Sequence, residues 1–492
     1  MIVDIECHIS NGLPSIIIVG IAAKSIDEAK ERIRSGFASS NLKFPRKRIT
    51  VNLAPADLPK DGTGYDLAIA AAILLADKQI EPKMVKNVAI VGEIGLDGRI
   101  RPVRGIIGKI LYGRLQGINQ FIIPADNLNQ AMLIPDINLL PIKSLTELHQ
   151  MLSGQVAVNP IRTGHEHTNV TNEPDNEFVV DMSEISGQAR AKRAMEIAAA
   201  GGHNILLNGS PGTGKTMLAK ALPSILPPLN RQEALEITHL QSLANKEFDK
   251  IAKSRPFRSP HHSSSDIAIV GGGQNPKPGE ISLSHLGVLF LDELPEFSRR
   301  VIEALRQPLE DRVITVSRAK DTITFPADFM LVATSNPCPC GYFGTDKECI
   351  CLPHQISMYQ RKISGPILDR IDIHIDVEEI KHESLLSRNV KDESSKTVRA
   401  RVAHARHKQK DRFGANKLNA AMSNKEIINK AGLSDPAKEL LNQAADKLRI
   451  SARSYMKIIK VARTIADLDD SQNINNNHIA EALQYRRNRP SL

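Results

Sequence analysis

Gly209-Ser210-Pro211-Gly212-Thr213-Gly214-Lys215-Thr216 is the stretch around which the rest of the chain is organised. Ahead of it, His203-Asn204-Ile205-Leu206-Leu207-Asn208 has the apolar run of a short buried strand. Behind it, Met217-Leu218-Ala219-Lys220-Ala221-Leu222 has the composition of a helix. A glycine-rich turn between strand and helix aims backbone N–H groups and the positive helix end at a phosphate chain. Gly209, Ser210, Pro211, Gly212, Thr213 and Gly214 would form that cradle. Lys215 can reach the β and γ phosphates, and the Thr216 hydroxyl can hold Mg²⁺.

Two further strand ends extend the site. Val288-Leu289-Phe290-Leu291 is an apolar run closed by Asp292 and Glu293; the first carboxylate is assigned to Mg²⁺ and the second to orienting and polarising the attacking water. Phe329-Met330-Leu331-Val332-Ala333-Thr334 is a third apolar run leading to Asn336, which completes the water-positioning group. Ile367-Leu368-Asp369-Arg370 precedes a fourth run, Ile371 to Asp376. Arg370 has the charge and forked donors to steady a transferring phosphoryl group from a neighbouring subunit, or it pairs locally with Asp369 or Asp372. Arg453 is a second candidate phosphate contact.

Strands alternating with helices from residue 178 to 378 argue for a parallel sheet covered by helices. Residues 1–154 carry a separate mixed pattern, with strands expected at Ile16 to Val19 and Ile49 to Leu53 and a helix at Asp66 to Ala76. Residues 155–177 are polar and aperiodic and are expected to be a linker. Residues 379–492 are helical in pattern and basic, with 23 Lys and Arg against 12 Asp and Glu from Lys381 onward, while the whole chain carries +9. That imbalance suggests an anionic partner such as nucleic acid. No apolar run approaches the ~20 residues of a membrane span, and the N-terminus lacks a basic secretory leader, so a cytoplasmic location is expected.

Four of the five cysteines fall in one short stretch, Cys338, Cys340, Cys349 and Cys351. Reduced thiols grouped in pairs suit Zn²⁺ better than disulfides in that compartment, with His354 as a substitute ligand; the alternative is a reduced, packed or redox-active loop. Val313 to Val316 and Thr322 to Phe325 flank a charged tip with Arg318 and Lys320, the pattern of a hairpin that grips phosphates or simply faces solvent. Arg399, Arg406 and Lys410 share one helical face, a further DNA contact or a solvated side.

Together with Arg258-Ser259-Pro260-His261-His262-Ser263, Pro278-Gly279-Glu280-Ile281, Asn336-Pro337-Cys338-Pro339-Cys340-Gly341 and Ala462 to Leu468, these motifs resemble the AAA+ ATPases. Within them they resemble the magnesium-chelatase-like branch and its ComM or YifB-like group, over essentially all of the chain. The resemblance implies an α/β fold: a P-loop core with a zinc insert at 338–354 and a C-terminal helical lid. It implies a homo-hexameric ring in which ATP lies between subunits, Arg370 acting from the next subunit and Arg453 from either. The implied activity is ATP-driven DNA translocation and branch migration, as a helicase acting on single-stranded and branched DNA during homologous recombination in natural transformation, with recombination proteins as possible partners. The rival reading is a magnesium-chelatase-like subunit that remodels proteins. Related ring motors carry a pore hairpin where Arg318 and Lys320 lie. Members of the group begin roughly twenty residues earlier, so an edge strand of the first domain is expected to be missing or the start to lie upstream. Leu58 to Gly64 and Gly98 to Ile106 resemble the segments that bear the Ser-Lys dyad of Lon proteases. Gly64 stands at the nucleophile's place and Ile107 at the lysine's, with Lys109 two residues on, which implies a non-catalytic Lon-like α+β domain.

Overall fold

Runs of four to six apolar residues without polar alternation are what a sheet covered on both faces requires, and the computed structural model builds a five-stranded parallel sheet from them. Its order is Phe257–Arg258, Val288–Leu291, Met330–Ser335, Ile205–Asn208, Ile373–Asp376. Ile205 lies opposite both Val332 and Ile373, and Val288 opposite Met330. The phosphate-loop strand is therefore separated from the acidic strand by the strand that leads to Asn336. The carboxyl ends of all three converge on one rim, the edge at which open parallel sheets bind ligands.

The structure describes residues 2–20, 24–55, 60, 62–156, 159–164, 180–244, 251–273, 277–317, 322–379, 393–414 and 417–486. They divide into two units, Met1–Thr171 with Asn230–Ala252, and Asn172–Leu229 with Lys253–Leu492.

In the second unit the helices Ala189–Gly201, Lys215–Ile225, Ser395–Phe413 and Ala452–Leu468 share one core with the sheet, including Ile205, Leu207, Leu218, Phe290, Ile459 and Ile465. Lys215–Ile225 begins where the sequence calls for a helix, after Gly214 at φ 86°, a left-handed turn that any side chain would strain. Ala452–Leu468 buries Ile458, Ile459, Ala462, Ile465 and Ala466 along one stripe. Arg463, in the same helix, is also buried; it bonds Asp467 at 2.9 Å and the carbonyls of Ala431, Ser471 and Gln472, so this motif residue serves the internal structure of the C-terminal helices.

In the first unit, Asp4–Ser10, Arg48–Ala54 and Ser15–Val19 form one mixed sheet. Val88–Ile90, Gln120–Pro124, Asn138–Ile142 and Ile161–Arg162 form another, and Asp66–Ala76 is the expected apolar helix. Ile161–Arg162 pairs with Asn138 and Leu139, so part of the stretch expected as a linker is a strand; residues 157–158 and 165–177 of it lie outside the described residues. Residues 230–252 fall within the nucleotide-binding stretch of the sequence but group with the first unit. There Leu235 joins the core of Ile106, Ile107 and Ile110, and Arg231 donates to the carbonyls of Leu133 and Met132 at 2.9 and 2.8 Å.

Candidate functional site

The phosphate loop and its neighbours are held by hydrogen bonds between their own functional groups. Lys215 Nζ donates to the carbonyls of Gly209 and Ser210, both at 2.7 Å, and to Asn336 Oδ1 at 3.3 Å. Burial lowers the Lys215 pKa, while Asp292 and Glu293 act in the opposite direction. Thr216 Oγ1 donates to Asp292 Oδ2 at 3.3 Å, which brings together the two groups expected at Mg²⁺. A hydroxyl at the head of a helix and a carboxylate at a strand end are oxygen donors suited to a small hard cation that keeps most of its waters. Glu293 takes a left-handed backbone, φ 53°, and its carboxylate accepts no hydrogen bond among the described residues. A non-glycine residue in that conformation costs about 1 kcal/mol or more and is tolerated where function needs the direction it gives.

Thr334 was not singled out from the sequence, yet it fixes this pair. Its Oγ1 donates to Asp292 Oδ1 at 2.6 Å and accepts the Glu293 N–H at 2.8 Å. The two-residue period of a strand puts positions 334 and 336 on one face, and that was the available signal.

Arg370 and Arg453 do not join the phosphate loop: among the described residues neither bonds to it, to Asp292, to Glu293 or to Asn336. They meet each other instead. Arg370 Nη2 and Arg453 Nη2 both donate to Glu310, the latter at 2.9 Å. Arg370 also donates to Pro366 O at 2.8 Å. The local pairing of Arg370 with Asp369 or Asp372 is absent among the described contacts. Asp372 faces Lys457 at 3.5 Å and His203 at 3.3 Å; burial opposes its charge, but the Lys457 ammonium and the hydrogen bond with His203 more than offset it and hold its carboxyl below the usual range.

The four cysteines converge as expected, every Sγ within 4.8 Å of the others. A tetrahedral Zn²⁺ with Zn–S of about 2.3 Å spaces its sulfurs about 3.8 Å apart. Here Cys338–Cys340, Cys340–Cys349 and Cys338–Cys349 are 3.4, 3.6 and 3.8 Å apart. Backbone N–H groups of Phe343 and Cys340 point at the sulfurs of Cys338 and Cys351. The Tyr342 N–H is the largest influence on Cys340, whose thiol is drawn down to about 6. The Cys351 N–H favours the Cys349 thiolate, but crowding by the other sulfurs wins and pushes that thiol up to about 12. Four sulfurs this close cannot all ionise without a cation among them, so the donor set fits Zn²⁺. His354 is exposed on the helix Pro353–Arg361 and is not part of the cluster.

Two sequence expectations change, and one lies beyond what the structure describes. The tip residues Arg318 and Lys320 lie outside the described residues, although the strands Val313–Ser317 and Thr322–Pro326 pair as the expected antiparallel hairpin. Arg399 and Arg406 are not on an open anionic-binding face. Arg399 donates to Ser224 O at 2.7 Å and Arg406 to Ala199 O at 2.7 and 2.9 Å, satisfying carbonyls in the last turns of two helices. In the first unit it is Lys109, not Ile107, that faces Gly64: a Cβ on Gly64 would lie 3.9 Å from Lys109 Cε, while Ile107 is in the core. Burial lowers the Lys109 pKa, and its Nζ donates to Arg104 O at 2.6 Å. The Thr63 hydroxyl beside Gly64 is bonded to Glu93.

A parallel sheet whose carboxyl rim gathers a glycine-rich loop, a lysine, a threonine hydroxyl and two carboxylates has the architecture of a P-loop core. Three family models match the chain: "Magnesium chelatase, subunit ChlI" over residues 181–385, "Subunit ChlI of Mg-chelatase" over 5–127, and "Magnesium chelatase, subunit ChlI C-terminal" over 392–486. The chain is 45% identical to the competence protein ComM of Haemophilus influenzae over 487 residues, covering 99% of this chain and 94% of that protein. It is 43% identical to YifB, an uncharacterized protein of Escherichia coli, over 98% of this chain and 94% of that one. A Lon protease of Rhizobium meliloti is 29% identical over 136 residues, 26% of this chain and 17% of that protein. The chain belongs to the ComM/YifB-like family of magnesium-chelatase-like proteins. No helix among the described residues is long and apolar enough to cross a membrane.

Proposed function

We propose that the chain is an ATP-driven DNA translocase that promotes branch migration while incoming single-stranded DNA recombines, working as a homo-hexameric ring. The observation that supports this most is the joining of Lys215, Thr216, Asp292 and Asn336 through hydrogen bonds at one sheet rim, in a chain similar throughout its length to a competence protein. Lys215 exchanges its two loop carbonyls for phosphate oxygens, and the loop N–H groups take the rest. Thr216 and Asp292 hold Mg²⁺, which when bound neutralises charge that builds on the phosphates. Glu293 accepts the proton of the attacking water and Asn336 orients it. Arg370, with Arg453, approaches the nucleotide of the next subunit and stabilises the transferring group. Cys338, Cys340, Cys349 and Cys351 hold a structural Zn²⁺. The first unit acts as a non-catalytic scaffold, since Gly64 supplies no hydroxyl to the base Lys109.

The test is ATP turnover by the purified full chain with and without single-stranded DNA, together with branch migration on synthetic junctions. Glu293→Gln is expected to keep ATP binding and assembly while turnover falls by about 10²–10⁴-fold and junction movement stops. Migration at the wild-type rate in that variant refutes the mechanism. A second reading, an ATPase subunit that remodels a partner protein, is favoured by the magnesium-chelatase descriptions of all three family models. It requires turnover that ignores DNA.

A further inference from the structure

Two arginines from different helical segments share the carboxylate of Glu310. Arg370 follows Gly365–Leu368, Arg453 stands at the head of Ala452–Leu468, and both reach the same side chain, which they hold below the usual carboxylate pKa range. The Arg370 side chain is 13% exposed, that of Arg453 52%. Both line a cavity of about 580 Å³ together with Arg312, Lys457, Lys460, Asp328, Asp369 and Asp372. A guanidinium fork pointed at Glu310 is not pointed at a phosphate.

Glu310 lies on the short helix Arg306–Asp311, which runs through Arg312 directly into the hairpin strand Val313–Ser317. Helix and hairpin are locked together: Gln307 accepts the Thr315 N–H at 3.0 Å and donates to Thr315 Oγ1 at 3.0 Å. Arg312 also donates to Asp328, just beyond the second hairpin strand, at 2.7 Å. A displacement of the hairpin therefore carries the helix, and with it Glu310.

We propose that Glu310 is a positioning residue that holds Arg370 and Arg453 together and, through the Gln307–Thr315 lock, makes their direction depend on the state of the hairpin. The inference rests on the reading of the chain as a DNA-driven ATPase and names the link between its two activities. With the hairpin at rest, Glu310 takes guanidinium donors that a phosphate oxygen of the neighbouring nucleotide would otherwise receive. When the hairpin is drawn along by DNA, the carboxylate moves with it and the forks are released.

Steady-state ATP turnover of the assembled full chain, measured across ATP concentrations with and without single-stranded DNA, tests this. Glu310→Gln keeps the size of the side chain and removes the charge. Its DNA-free kcat is expected to rise about three- to tenfold, towards the DNA-stimulated value, with KM for ATP and DNA affinity within about twofold of wild type. Glu310→Asp, which keeps the charge, restores part of the dependence on DNA. Gln307→Ala leaves the arginine contacts alone and is expected to keep the DNA-free rate while stimulation falls about threefold. A wild-type stimulation ratio in Glu310→Gln and in Gln307→Ala overturns the proposal. So does an equal loss of rate with and without DNA in Glu310→Gln, because a residue that only braces the fold behaves that way. Should the wild-type chain ignore DNA, it is the translocase reading that fails, and the variants are not needed to see it.

Discussion

Gly341 ties the cysteine cluster to the phosphate loop, and replacing it should weaken ATP binding from a position that never touches the nucleotide. Its backbone is left-handed, φ 86°, and a Cβ there would lie 2.4 Å from Pro211 Cδ and 2.7 Å from Cγ. Carbon atoms rest about 3.5–4.0 Å apart, so Gly341→Ala forces roughly 1 Å of displacement on a proline ring that has no rotamer in which to swing away. The substitution has two components: about 1–2 kcal/mol for the left-handed backbone and about 1–3 kcal/mol for the overlap. Gly344 separates them. It too is left-handed, φ 78°, but nothing lies within 4 Å of its Cβ position, so Gly344→Ala carries the backbone component alone. If the phosphate loop takes up the remaining difference, ATP affinity falls about five- to 150-fold in Gly341→Ala relative to Gly344→Ala. Titration of a fluorescent ATP analogue at fixed Mg²⁺, with the zinc content of each protein measured beside it, gives the comparison. Equal affinities at equal zinc content in two folded variants would refute the reasoning.

Metal analysis of protein purified without added zinc should give about one Zn²⁺ per chain and far less in a Cys338→Ser, Cys349→Ser double variant; under half an equivalent in the wild type counts against the site. Asp372→Asn should lower stability by about 3 kcal/mol at neutral pH, since it leaves the buried Lys457 without its carboxylate. The Asp372 pKa is depressed in the fold, so its contribution is complete above the unfolded value of about 3.9 and is lost as pH falls below it; melting curves of wild type and variant should therefore converge in acid, and a constant gap down to the acid limit of folding rejects the assignment. Arg399→Ala and Arg406→Ala should each lower stability by about 1 kcal/mol with DNA affinity and its salt dependence unchanged, because their guanidiniums serve the carbonyls of Ser224 and Ala199. An Arg318→Ala, Lys320→Ala double variant should instead reduce the slope of log affinity against log salt by about two; an unchanged slope removes the hairpin from the DNA path.

The parts of the site that were legible in the sequence are those whose chemistry is confined to a few adjacent residues. A phosphate cradle needs glycine, lysine and a hydroxyl within one turn, and an apolar strand closed by two acids needs no partner to be noticed. The strands at 205, 288 and 330 follow from unbroken apolar runs, and the cysteine cluster from spacing alone. What stayed hidden depends on register or on distant neighbours. Thr334 reads in the sequence only as the end of an apolar strand, and its grip on Asp292 and Glu293 depends on how Met330–Ser335 pairs with Val288–Leu291. Arg399 and Arg406 share a helical face with Lys410, but which face the helix buries is set by the helices Ala189–Gly201 and Lys215–Ile225, almost two hundred residues earlier.

Arg370 makes the limit clearest. Local reasoning offered Asp369 and Asp372 as its partners because they are adjacent in sequence, yet its carboxylate is Glu310, sixty positions away, shared with an arginine still farther along. Asp372 could not serve both cations: it is needed by Lys457, whose ammonium is buried and has its pKa lowered by that burial. The two cations are about equally buried, 16% exposed for Lys457 and 13% for Arg370, and Asp372 is already engaged by Lys457 and His203. Arg370 is thereby left to a carboxylate in a softer setting, 47% exposed. A carboxylate that keeps part of its water loses less on parting from its cation than an enclosed one does, which suits Glu310 to the release of Arg370 proposed above while Asp372 keeps Lys457.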